Sequence, residues 1–284
     1  MNGILEREDV LWGAVWVSGL TLMWIWDAIF LNTPAFDRLQ AAFINSLLTG
    51  LLVVVLTLVL GWSLGVGLHL LEHSDQKGVY GALTFLTDIL RSIPQIITVL
   101  IGYVILTLLL YDGTIRSTLA QLMWIACTVA IAISLEVADT VRERINHFRT
   151  LDFVDAMLAC GISERRIINV EILWKNSRSH LLHKLIAVFG ATIFLQCSID
   201  FIVSVGLSTD VSLSNFPVTL GSLLANVDSK QDILAVSNVF TDPGYLSDLM
   251  VRHLQGLSVA FCIVFTLLCV YMIANAFVRR HRLV

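Results

Sequence analysis

The stretch AAFINSLLTGLLVVVLTLVLGWSLGVGLHLL, Ala41 to Leu71, decides the class of fold. It contains no Asp, Glu, Lys or Arg, and His69 is its one ionisable side chain. A bilayer core about 30 Å thick needs roughly 20 apolar residues in a helix, so this stretch is long enough to cross with residues to spare. Five further stretches reach that length: residues 10–31, 79–111, 115–138, 181–207 and 254–278. Pro94 lies inside the third of the six spans and is expected to kink or break it, because proline has no N–H to donate. Short polar punctuation separates several spans: Asn32-Thr33-Pro34, Asp75 to Gly78, and Asp112-Gly113.

Composition agrees. The chain is 57% hydrophobic and only 14% charged, with mean hydropathy +0.82. Soluble domains carry about 25% charged residues. These values exclude a secreted disulfide scaffold, a disordered chain and, with net charge −4, a phosphate-tracking nucleic-acid binder. The five cysteines form no CxxC pair and read as small buried hydrophobes. The leader before the first span is acidic and no small-residue cleavage site follows, so a retained helix is expected rather than a signal peptide.

Basic residues near span ends set the orientation. Arg142, Arg144, Arg149, Arg165, Arg166, Lys175, Arg178 and Lys184 lie between spans four and five, and Arg279, Arg280 and Arg282 follow the sixth. The segment 208–250 holds five aspartates against Lys230 alone. The expectation is two cytoplasmic termini, a cytoplasmic segment 149–179 and an external loop 208–250. Trp12 and Trp16, then Trp24 and Trp26, mark the two ends of the first span. Gly61-x-x-x-Gly65 on the second span permits close approach of a neighbouring helix.

Within the cytoplasmic segment, Phe153, Val154, Met157 and Leu158 repeat at helical spacing and Gly161 is a natural terminator. Ser163 is expected to cap a second helix whose apolar face is Ile167, Ile168 and Ile172. Two short helices joined at a glycine form a rigid knob that can pass a partner's motion to the spans on either side.

Asp155-Ala156-Met157-x-x-x-Gly161, then Ile172-Leu173-Trp174, resembles the EAA motif of binding-protein-dependent ABC importer permeases, with Asp for its Glu, Met for its second Ala and Trp for its Pro. Phe85 to Pro94 is similar to that family's D-x-L-x-x-I-P. Phe216 to Ala225 is similar to the P-x-x-x-W-G-x-L-L/M-A element of the C-type subunit of dipeptide, oligopeptide and nickel permeases, with Leu220 in place of Trp. The resemblance runs from about Asn45 to Arg282. It implies an all-α integral membrane protein with six transmembrane helices of the type I ABC importer permease fold, and coupling helices in one permease domain over 1–284. It further implies a bacterial cytoplasmic (inner) membrane and a pore subunit that binds no cofactor. The implied partners are a second permease subunit, two ABC ATPase subunits that hold ATP and Mg, an external solute-binding protein and membrane lipid. Peptides are the favoured cargo. The sequence agrees in having neither a P-loop nor a Gly-Gly nucleotide signature. On this resemblance Asp155, Ala156, Gly161, Arg165, Arg166, Ile167, Ile168, Ile172 and Leu173 couple to the ATPase. Arg165 and Arg166 would pair with its acidic rim, while Ile167 and Ile168 would fill its cleft.

Three further features carry chemistry. His69-Leu70-Leu71-Glu72-His73 matches H-x-x-E-H, so a membrane-bound zinc metalloprotease is an alternative, set against the simpler reading of a polar span end. Asp200 falls about 10 Å from the outer end of the fifth span, with Gln196 one turn away, and an ionisable group there is a pathway candidate. Asp88 and Arg91, at i, i+3, are an intrahelical pair beside the Pro94 hinge, and Asp27 is expected to reach the interface. A secondary transporter is the other alternative, but no second copy of the Pro94 pattern supports the repeats it needs.

Overall fold

The computed structural model describes residues 8–74, 76–206 and 216–282, which form helices and contain no strand. The helices are α1 (Glu8–Phe30), α2 (Thr33–Glu72), α3 (Lys77–Ser92), α4 (Gln95–Tyr111), α5 (Thr118–Arg149) and α6 (Asp152–Ala159). After these, α7 (Glu164–Arg166) continues directly into a π-helix (Ile167–Asn176). They are followed by α8 (Arg178–Gly206), α9 (Leu220–Leu224), α10 (Val227–Thr241), α11 (Leu246–Arg252) and α12 (Leu254–Arg282). The turn signals sit where the sequence places them. Asn32 accepts a hydrogen bond from the Ala35 amide at 3.0 Å to cap α2, with Pro34 in its first turn. Ser117 caps α5 in the same way.

Helices α1, α2, α5, α8 and α12 are each long and apolar enough to cross a membrane. Of the kink or break expected at Pro94, the chain takes the break. Pro94 divides 79–111 into α3 and α4, which meet at 93° and count as a sixth span only if taken together. At two places hydropathy marked the end of the apolar stretch rather than the end of the helix. α5 runs past residue 138 to Arg149, and α2 begins at Thr33 rather than at 41. At 1.5 Å per residue the 40 residues of α2 extend about 60 Å, so its ends project beyond the hydrocarbon.

The centre of the bundle is the packing of α2 on α5. A Cβ on Gly61 would lie 2.6 Å from Val137 Cβ, and one on Gly65 would lie 2.7 Å from Val141 Cγ1 and 2.9 Å from the Ala138 carbonyl. Only glycine allows that approach, and the expected small-residue seam is present. Ile125, Val129, Ile133, Val137, Val141 and Ile145, one every four residues, form the buried stripe of α5.

α1 packs on α12 instead. Trp16 Nε1 donates to Thr266 Oγ1 at 3.1 Å. Asp27, expected at the interface, is 1% exposed and accepts from Ser258 Oγ at 2.5 Å. Arg279 and Arg280 pair with Glu8 and Asp9, each at 3.1 Å, so the acidic start of α1 and the basic end of α12 share one side. In the expected external loop 208–250, 208–215 lie outside the described residues and the remainder is mostly helical.

Candidate functional site

The knob is built on an exposed and a buried face. α6 ends in a Schellman turn: the Gly161 amide donates to the Leu158 carbonyl at 2.9 Å and the Ile162 amide to the Met157 carbonyl at 3.2 Å. Gly161 has φ +78°, the left-handed conformation that glycine takes without strain. The chain then reverses into α7 and the π-helix. Ser163 stands at the start of α7, but its side chain makes no capping bond there.

Ile167, Ile168, Ile172 and Leu173 are at most 1% exposed and belong to the main core, packed on α5 and α8. This corrects the expectation that Ile167 and Ile168 fill a partner's cleft: their surface is consumed within the chain. At about 1.5–3 kcal/mol per buried side chain they root the knob. Asp155, Ala156, Gly161, Arg165 and Arg166 are exposed, together with Leu158, Cys160 and Trp174. Two polar links add to the root. Trp62 Nε1 of α2 donates to Asn169 Oδ1 at 2.7 Å, and Arg149 at the end of α5 pairs with Glu164 at 3.4 Å.

The bend at Pro94 is held from α5. Arg91, the last charged residue before the break, pairs with Asp139 as well as with Asp88 at 3.3 Å. Gln95, the first residue after it, donates to Glu136 Oε1 at 2.6 Å. Lys184 of α8 donates to Glu136 Oε2, also at 2.6 Å. Glu136 and Asp139, three apart on one helix face, thus grip the two sides of the proline and tie them to α8. These residues were missed in the sequence, although two carboxylates at i, i+3 on the end of a span are a visible signal.

Asp200 is 6% exposed. One carboxyl oxygen accepts from Tyr103 Oη of α4 at 2.9 Å, and the other accepts from Thr219 Oγ1. Thr219 is in turn the cap of α9, in a reciprocal bond with Ser222. Gly221 presses so close that a Cβ there would lie 2.7 Å from Asp200 Oδ2 and from Cys197 Cα. From α2, Asn45 Nδ2 donates to the Val218 carbonyl at 2.8 Å, and Ser46 Oγ accepts from the Leu220 amide at 3.0 Å. The segment 217–224 is therefore pinned into the bundle between α2 and α8, with Asp200 as the pin. Rather than lining an open path, the carboxyl group is engaged within the chain. Gln196, one turn away, is 1% exposed and, among the described residues, neither of its amide atoms has a hydrogen-bond partner.

His69, Glu72 and His73 do come together, with one ligand atom from each within 4.8 Å of the others. They are not a free catalytic face. Arg149 Nη1 donates to His69 Nε2 at 3.0 Å, and Arg142 pairs with Glu72 at 3.2 Å.

Compared with known proteins, the chain matches no family model and no curated sequence.

Proposed function

We propose that the chain is the membrane-spanning subunit of an ATP-driven importer of small solutes, peptides foremost, with the type I ABC permease fold. The observation that carries this reading is the knob. A two-helix projection whose apolar side is rooted on two spans, and whose charged and small residues face outward, is a device for receiving force from a soluble partner. Asp155, Ala156, Gly161, Arg165 and Arg166 form the receiving surface, and the partner is an ATPase at the cytoplasmic face.

The contacts supply a route. Force on the knob reaches α2 through Trp62–Asn169, and α5 through Arg149–Glu164 and the buried isoleucines. From α5, Glu136 and Asp139 act on both sides of the Pro94 bend, and Glu136 acts on α8 through Lys184. α4 carries the movement to Tyr103, which shares Asp200 with the pinned external segment. Nucleotide-driven movement at one end then releases the pin at the other, where an external binding protein delivers solute. Asp200 serves here as the latch of the outer gate, and Gln196 offers unpaired amide groups beside it. A second permease subunit covers the exposed apolar faces of α3 and α4, including Phe85, Leu86, Ile97 and Ile101.

Cys160, an exposed free cysteine on the knob, provides the test. A cysteine-directed cross-linker applied to membranes of the native host should join it to an ATPase subunit. Co-reconstitution with that subunit should give ATP-dependent uptake. Solute uptake by the purified chain alone, driven by an ion gradient without nucleotide, sinks the proposal.

A further inference from the structure

We infer that the knob-side end of α2 is a binding site for one divalent transition-metal ion, held by His69, Glu72 and His73 in competition with Arg149. Hydrogen-bond direction fixes the lone pairs. An arginine can only donate, so the Arg149 contact at 3.0 Å makes His69 Nε2 the unprotonated ring nitrogen. A carbonyl can only accept, so the 3.0 Å contact between His73 Nδ1 and the His69 carbonyl selects the Nδ1–H tautomer of the neutral ring, in which Nε2 carries the lone pair. A ring N–H donated to a backbone carbonyl is the arrangement that orients histidines ligating a metal. Glu72, on the same face, adds a carboxylate that Arg142 holds at 3.2 Å.

Two imidazole nitrogens and a carboxylate are a donor set for zinc and its neighbours, not for calcium or magnesium. One ligand atom from each residue already lies within 4.8 Å of the others, and Glu72 and His73 are exposed and free to adjust. The fit to a cation is also written in what occupies the place now: a guanidinium contacts His69 and a second contacts Glu72. His69 is 1% exposed and, among the described residues, its Nδ1 has no hydrogen-bond partner, so packing holds the ring and the Arg149 contact is the one bond a metal at Nε2 would have to replace. Binding displaces Arg149 from His69. Because Arg149 also pairs with Glu164, the site is wired to the knob.

The test uses the full chain in detergent on a Cys160→Ser background, which removes the exposed thiol as a competing ligand, with Zn²⁺ alone as the probe and a chromogenic chelator as competitor. The expected result is one Zn²⁺ per chain, with Mg²⁺ and Ca²⁺ failing to displace it. His73→Asn and Glu72→Gln, both at exposed positions, should each weaken binding by about tenfold or more. Arg149→Gln should tighten it by about tenfold, because a cation beside the ligand nitrogen is removed. A merely structural Arg149 gives no such gain. Absence of Zn²⁺ binding in both the parent and Arg149→Gln overturns the inference, as does stoichiometric binding that His73→Asn and Glu72→Gln leave unchanged. Neither outcome bears on the importer reading.

Discussion

Replacing Asp200 by alanine separates a latch from a substrate contact. The substitution removes the acceptor of two hydrogen bonds, one from Tyr103 Oη and one from Thr219 Oγ1, and leaves both hydroxyls buried. Hydrogen bonds between membrane helices are worth about 0.6 kcal/mol on average and at most about 1.7. Two of them give about 1–3 kcal/mol, to which the vacated space beside Gly221 and Cys197 adds. For a chain of this size that lowers the melting temperature by roughly 5–10 °C, at about 2–4 °C per kcal/mol. Asp200→Asn keeps a carbonyl acceptor for Tyr103 and should cost about half as much. Thr219→Val alone should cost about 1 kcal/mol, and combined with Asp200→Ala it should add little, since the shared bond is lost only once. Thermal unfolding in detergent reads all four proteins. Uptake assays should then show Asp200→Ala leaking or losing its dependence on ATP for cationic and neutral solutes alike. An Asp200→Ala protein that melts with the parent, adds fully with Thr219→Val and fails on cationic solutes alone refutes the latch and restores a carboxylate that meets the cargo.

Gly65→Leu forces a side chain into Val141 Cγ1 and the Ala138 carbonyl, so overpacking should cost about 1–3 kcal/mol, read as an earlier thermal transition; an unchanged melt means α2 and α5 are farther apart than described. Pro94→Ala restores a donor at the break but leaves the Glu136 and Asp139 contacts in place. The angle between α3 and α4 should therefore hold by spin-label distance until Glu136→Ala and Asp139→Ala are added; straightening in the single variant counts against the clamp. Gly161→Ala should cost about 1 kcal/mol from its positive φ, measurable by hydrogen exchange in α6. Among the described residues no atom lies within 4 Å of a Cβ there, so Gly161→Trp should fold yet, on the importer reading proposed above, abolish ATPase stimulation. Stimulation that survives the tryptophan argues against docking at this surface.

What the sequence conveys about this molecule follows the range of the forces involved. The apolar spans, the Gly61/Gly65 seam, the break at Pro94 and the turn at Gly161 are local, and each was legible from residue type and spacing. The 93° angle was not, because it is held by Gln95–Glu136 and Arg91–Asp139, contacts that span 41 and 48 residues. The apolar face of Ile167, Ile168 and Ile172 was readable as a face. Periodicity says that such a face must be covered but not by what, and the covering proved to be the chain's own α5 and α8. Asp200 was conspicuous as an ionisable group in a span, but its partners lie 97 and 19 residues away, one of them outside the hydropathy pattern altogether. The partner of Asp27 was illegible for the same reason: Ser258 is 231 residues distant.

That last separation sets a condition on biogenesis. Among the described residues of α1 only Asp27 is buried, and its sequence-distant bonds go to α12 or to Met250 just before it. A ribosome adding about 5–20 residues per second needs roughly 10–45 s to pass from the end of α1 to the start of α12. Throughout that interval the Asp27 carboxyl lacks its Ser258 partner. Arrival of Ser258 allows α1 to dock onto α12. Chains halted before α12 should keep Asp27 without this partner, which limited proteolysis of truncated chains would read as a loosened α1.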